Sequence, residues 1–137
     1  MKYWISVASK EHVLRGVDEG FAQVCHGKKA PLQRMKLGDW LIYYSPTYSF
    51  KGKDLCQEFT AIGQIVDGNV YQFDMGGGFC PFRIDVDYLP YQQLSIRPLI
   101  NNLSFIRNKN RWGYMFRFGH FEIPESDFLV IKEAIGF

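Results

Sequence analysis

The chain has 137 residues, 47% of them hydrophobic, a size and composition that suit one domain spanning 1–137 with one sizeable core. Its three cysteines, Cys25, Cys56 and Cys80, are odd in number and form no Cys-x-x-Cys pair, which argues against a disulfide framework and a structural zinc site and fits a reducing cytoplasm. No apolar run is long enough for a signal-peptide core or a membrane span, and a net charge of +2 does not by itself imply a polyanionic partner.

Lys2 to Val7 alternates, with Tyr3, Ile5 and Val7 on one face, and is predicted to be a strand. Ser9 can cap a helix of about two turns that carries His12, Val13 and Val17 and weakens at Gly16 and Gly20. Phe21 to Ala30 reads as a strand opening into a loop with a basic glycine turn. Pro31 to Met35 suits one helical turn, and Trp40 to Tyr44 is a near-continuous apolar run, predicted to be a buried central strand. Phe59 to Val66 and Val70 to Phe73 flank Asp67-Gly68-Asn69, which predicts a hairpin. Met75-Gly-Gly-Gly-Phe79 reads as flexible. Phe82, Ile84, Val86 and Tyr88 alternate with Arg83, Asp85 and Asp87, the pattern of a half-buried strand. Leu94 to Leu103 suits a short helix around Arg97-Pro98, Trp112 to Ile123 one or two aromatic strands, and Glu125 to Ile135 a final helix stopped by Gly136. About six short strands with helices mainly at the two ends indicate an α+β fold built on a mixed or antiparallel curled sheet or small barrel.

Charge is unevenly placed. Tyr88 to Phe121 contains no Asp or Glu but holds Arg97, Arg107, Lys109, Arg111 and Arg117, so it carries +5 of a net +2 and leaves −3 for the rest. The same chain is rich in rings, with 12 Phe, 8 Tyr and 3 Trp, more than packing a domain of this size ordinarily needs.

Several long words in order carry a resemblance. Tyr3-Trp4-Ile5, Gly20-Phe21-Ala22-Gln23-Val24-Cys25-His26-Gly27-Lys28, Met35 to Pro46, Trp112-Gly113-Tyr114 and Phe116 to Ile123 together resemble the EVE family of the PUA-like superfamily, related to YTH and ASCH domains. The resemblance runs end to end. It implies a PUA-like pseudobarrel with flanking short helices and a pocket for a modified base in RNA or DNA. Arg117-Phe118-Gly119 is similar to a spacing that lies near the nucleic-acid backbone in YTH domains. The chain departs from the YTH pattern in lacking a tryptophan after the first helix, where Phe21-Ala22-Gln23 stand, which leaves a base other than methyladenine open.

Three constellations are candidates for binding. Cations interleave with rings from Phe105 to His120, with Trp112 as a stacking ring and Arg117, Arg111, Asn110 and Lys109 as phosphate or backbone contacts. The rival reading is a solvated loop followed by a strand that buries Phe116 and Phe118. Gln23, His26, Gly27 and Lys28, with Ser9, His12 and Phe21, can pair a base edge and neutralise an anion, against an ordinary turn with a solvated lysine pair. Trp4, Tyr44 and Ser45 can wall a slot, with Phe79, Pro81 and Phe82 as a further wall, although rings in strands usually belong to the core.

Catalytic readings are weaker. Cys25 and His26 are neighbours on an extended segment and point apart, and a metal held by His12, His26 and His120 would need tertiary coincidence. Gly76-Gly77-Gly78 lacks the ending of a P-loop. The expectation is a non-catalytic domain without cofactor or metal that binds nucleic acid. The alternatives are a receptor for a free small anion or nucleotide metabolite, and an enzyme acting on modified nucleobases.

Overall fold

The structure, a computed structural model, describes residues 1–90 and 93–137. Its strands are β1 (Tyr3–Val7), β2 (Phe21–Ala22), β3 (Trp40–Thr47), β4 (Leu55–Gln72), β5 (Phe82–Tyr88), β6 (Leu94–Ser95) and β7 (His120–Ile123). Three α-helices accompany them: α1 (Lys10–Glu19), α2 (Lys29–Gln33) and α3 (Glu125–Ile135). The strand order is β2-β5-β4-β3-β1-β7, with β6 paired to β4. β1 lies parallel to β3 and antiparallel to β7, so the sheet is mixed.

Alternation along the central strand β3 explains why the sheet has a core on both faces. Leu41 and Tyr43 join Trp4, Val13, Leu32, Met35 and Ile84 in a cluster covered by α1 and α2. Ile42 and Tyr44 join Ile5, Phe59, Ile62, Phe128 and Ile131 in a second cluster under α3. A fully buried Ile or Leu contributes roughly 1.5–3 kcal/mol over its exposed state, so both layers are substantial. The sheet curls until its ends meet: a Cβ added at Gly119, just before β7, would lie 3.3 Å from Sγ of Cys25, three residues beyond β2. That closure is the PUA-like pseudobarrel.

Four local expectations are corrected. Asp67-Gly68-Asn69 does not reverse the chain, because β4 runs straight through it and both halves pair with β5, Ile65 with Val86 and Val70 with Ile84. Val66 to Asn69 therefore bulge opposite Asp85 alone, with Gly68 at φ +76° and Asp67 accepting from the Asn69 amide. The reversal comes instead at Met75–Phe79, where the Met75 amide donates to Phe79 O and the Phe79 amide to Gly76 O. What reads as a flexible glycine run is a hydrogen-bonded hairpin tip.

The remaining two concern strand placement. Leu94–Ser95 pairs as β6 before a 3-10 segment at Arg97–Asn102 takes the place of the expected helix. The aromatic stretch after Trp112 forms a 3-10 segment at Tyr114–Phe118, and only His120–Ile123 is strand. Three residues per turn separate Phe116, which is buried, from Phe118, which is 58% exposed.

Candidate nucleic-acid interface

The acid-free segment is held in place by two charged side chains. Asp127 of α3, itself buried, accepts from the Ser104 amide (2.8 Å), Ser104 Oγ (2.8 Å) and the Phe105 amide (2.9 Å). Lys109 Nζ donates to three backbone carbonyls, Ile100 O (3.1 Å), Leu103 O (3.0 Å) and Ile106 O (2.6 Å). Lys109 is thus corrected from a phosphate contact to a clasp, because its three donors are already matched to acceptors. A 3-10 turn at Lys109–Arg111 follows, with Asn108 Oδ1 accepting from the Asn110 amide.

These constraints leave a groove of about 620 Å³ whose walls include Phe105, Trp112, Tyr114 and Met115, with Arg107 and Arg111 beside them. That volume lies within the roughly 300–1,000 Å³ typical of small-molecule sites. Trp112 is half-buried, and the Arg97 guanidinium sits 5.1 Å from its ring centroid while Nε and Nη2 of Arg97 donate to Gln57 Oε1. Tyr114 is 52% exposed and lies edge-on to Phe118, and Arg117 is 5.5 Å from the Tyr114 ring. One acid lines the groove, Glu122, whose carboxylate pairs with Lys2 at 3.7 Å. Arg107, Arg111, Asn110 and Arg117 are exposed.

The second constellation is real as a neighbourhood, but its parts do different work. Ser9 caps α1, accepting from the His12 amide. His12 Nε2 is 2.9 Å from Gln23 O, which also accepts from Tyr43 Oη at 3.2 Å. A carbonyl accepts only, so Nε2 carries the proton of a neutral ring, and burial lowers the His12 pKa from its usual value. His26 (φ +61°) is exposed and edge-on to Phe50, and Lys28 is solvated. Gly27 is corrected from an anion cradle to a packing point: it is buried at φ +82°, and a Cβ there would come within 2.4 Å of Pro81 Cβ.

The third constellation is taken apart by the sheet. Trp4 and Tyr44 belong to the two different cores, so they cannot wall one slot. Trp4 is buried, donates Nε1–H to Asp39 Oδ2 (3.0 Å) and stacks on His120. Tyr44 stacks on Phe116 at 3.9 Å, and Ser45 is buried against Thr60 Oγ1 at 2.6 Å. Pro81 is buried behind Gly27, Phe82 is half-buried under Lys29 Nζ, and only Phe79, at the hairpin tip, is exposed.

The sequence reading missed Arg83. Alternation places it outward on β5, yet it is 5% exposed, its guanidinium 3.7 Å from the Phe21 ring centroid and 4.1 Å from that of Phe73. Cross-strand pairs share a face, so the pairing of Tyr71 with Arg83 and of Phe21 with Asp85 puts Phe21, and Phe73 two residues past Tyr71, on the face of Arg83, which no single-strand pattern reveals. Arg107, Tyr114 and Met115 were also left out, although the acid-free stretch contained them.

The chemistry of the remaining candidates is muted. Burial raises the Cys25 thiol pKa despite Lys28 and Arg34 nearby, which works against a thiolate nucleophile. His120 Nδ1 is 2.7 Å from Ser6 Oγ, and burial lowers the ring's pKa to about 4. Among the described residues no group of three or more His, Cys, Asp or Glu is placed to hold a metal ion, and no helix is long and apolar enough to cross a membrane.

Comparison with known proteins gives one consistent picture. The chain is 48% identical over 134 residues to UPF0310 protein YdcG of Bacillus subtilis, covering 98% of this chain and 92% of that one. It is 52% identical over 136 residues to UPF0310 protein msl3206 of Mesorhizobium japonicum, covering 98% and 91%. In fold it is similar to Atu2648 from Agrobacterium tumefaciens (TM-score 0.62, 15% identity, 100% of this chain and 94% of that one). It is likewise similar to Rpa0253 from Rhodopseudomonas palustris (TM-score 0.61, 17% identity, 99% and 94%). The family model described as EVE domain matches residues 2–134, and with a curled mixed sheet that closes on itself and relatives near half identity over almost its full length, the chain belongs to the EVE domain family.

Proposed function

We propose that this chain is a non-catalytic nucleic-acid-binding domain that takes one exposed base, modified or flanked by unpaired neighbours, into the groove walled by Trp112, Tyr114 and Met115. The observation that supports this reading is a groove combining flat rings with Arg107 and Arg111, on a segment with no acid of its own. Bases need ring faces and phosphates need cations, and each base-ring stack contributes about 1–3 kcal/mol. Arg107, Arg111 and Arg117 are long, exposed and in no salt bridge among the described residues, so they are free to meet phosphates beside the bound base. Phe105 and Met115 give the groove an apolar wall that suits a base carrying an added methyl or similar group.

The test is fluorescence anisotropy with labelled single-stranded RNA and DNA, with and without a modified base. Wild type is expected to bind, and Trp112→Ala to weaken binding by roughly tenfold or more, the loss of about one stack. Failure of both oligonucleotide types to bind at low salt overturns the proposal.

A further inference from the structure

Arg83 is a buried cation without a carboxylate. A guanidinium cannot give up its proton, and burying a charge is costly unless it is paired. Yet the salt bridges among the described residues do not include Arg83. The nearest acid along its own face, Asp85, is two residues on and accepts from Tyr71 Oη at 2.7 Å. The two faces of the guanidinium are covered by Phe21 and Phe73, so only its edge remains for polar contact.

That edge is half used. Nε donates to Gln23 Oε1 at 3.2 Å, while Nη1 and Nη2 make no hydrogen bond among the described residues. They are not sealed in, because the only fully buried side-chain polar atom without a partner among the described residues is His120 Nε2. Arginine only donates, so the Gln23 amide must turn its oxygen toward Nε, which leaves its NH₂ group without a partner beside the guanidinium. His12 adds no charge there, since its ring is neutral and its Nε2–H is already engaged on the Gln23 carbonyl.

We propose that Arg83 and Gln23, walled by Phe21 and Phe73, form a binding site for a phosphate-type oxoanion. Two parallel guanidinium donors match two oxygens of the anion, and the Gln23 NH₂ reaches a third, which a tetrahedral anion supplies and a carboxylate does not. Phe73 is 47% exposed, so the site opens to solvent past one ring. It shares no residue with the Trp112 groove, and either can fail without the other.

The experiment is isothermal titration and thermal shift with inorganic phosphate, a nucleoside monophosphate and a dinucleotide. Phosphate alone binding to wild type marks a free-anion site, and the dinucleotide binding more tightly than phosphate marks a phosphodiester source. Gln23→Glu places a carboxylate on Arg83, and is expected to raise the melting temperature while abolishing the phosphate response. Arg83→Lys keeps the charge and loses the fork, and is expected to weaken binding by about tenfold. Absence of binding by all three probes, or equal phosphate binding by wild type and Gln23→Glu, overturns the proposal.

Discussion

His120 shows how a single residue can look like chemistry and act as structure. Its ring stacks on Trp4 at 5.0 Å and meets Ser6 Oγ through Nδ1, while Nε2 is buried without a partner. Protonation would add a charge there with nothing to receive it, which is why the folded-state pKa falls to about 4. The unfolded chain, with an ordinary histidine near 6.5, binds the proton first as pH drops. His120 therefore contributes stability that is fully present above about pH 6.5 and is lost as pH falls toward about 4, by roughly 3 kcal/mol. Urea denaturation at pH 7 and 4.5 should show this loss, reduced in His120→Gln. His12, lowered in the same direction by burial, accounts for part of what remains.

Among the elements, α3 does more than cover the core, since its Asp127 fixes the Ser104 and Phe105 backbone that lines the groove. Asp127→Ala should destabilise the fold by about 3 kcal/mol, the scale of hydrogen bonds to a buried charge, read as a lower urea midpoint. The 3-10 turn at Cys25–Gly27 meets the hairpin at Pro81, and Gly27→Ala must both strain a positive φ and displace Pro81. A loss of at least about 2 kcal/mol is expected in thermal unfolding.

The same elements show which parts of the fold were legible in sequence. β1, β5 and α3 carry period-two or helical patterns whose bounds emerge from the residues almost alone, whereas β3, read as an apolar run over Trp40 to Tyr44, continues to Thr47 because β4 pairs with it that far. Asp67-Gly68-Asn69 misleads because turn chemistry is local, whereas the continuation of β4 is decided by pairing with β5. Local ring and charge density pointed to Trp112, which the structure places in the lining of the groove. Trp4, Tyr44 and Ser45 were misjudged because which face a strand residue occupies, and what lies over it, is set by the other strands. Arg83 was missed for that reason too.

At the scale of the whole molecule, closure of the sheet brings Gly119 to Cys25, and the segment from Tyr88 to Phe121 carries +5 while the rest of the chain carries −3. The interface proposed above would be electrostatic as well as aromatic, so affinity for a single strand is expected to fall with salt along a slope set by the number of phosphates met. The measurement that bears most directly on the account is that slope, taken by anisotropy for wild type, Arg111→Ala and Arg107→Ala/Arg111→Ala with one single-stranded oligonucleotide. The account predicts a slope that flattens by about 0.7 for each arginine removed. Slopes that are the same in all three proteins would contradict it.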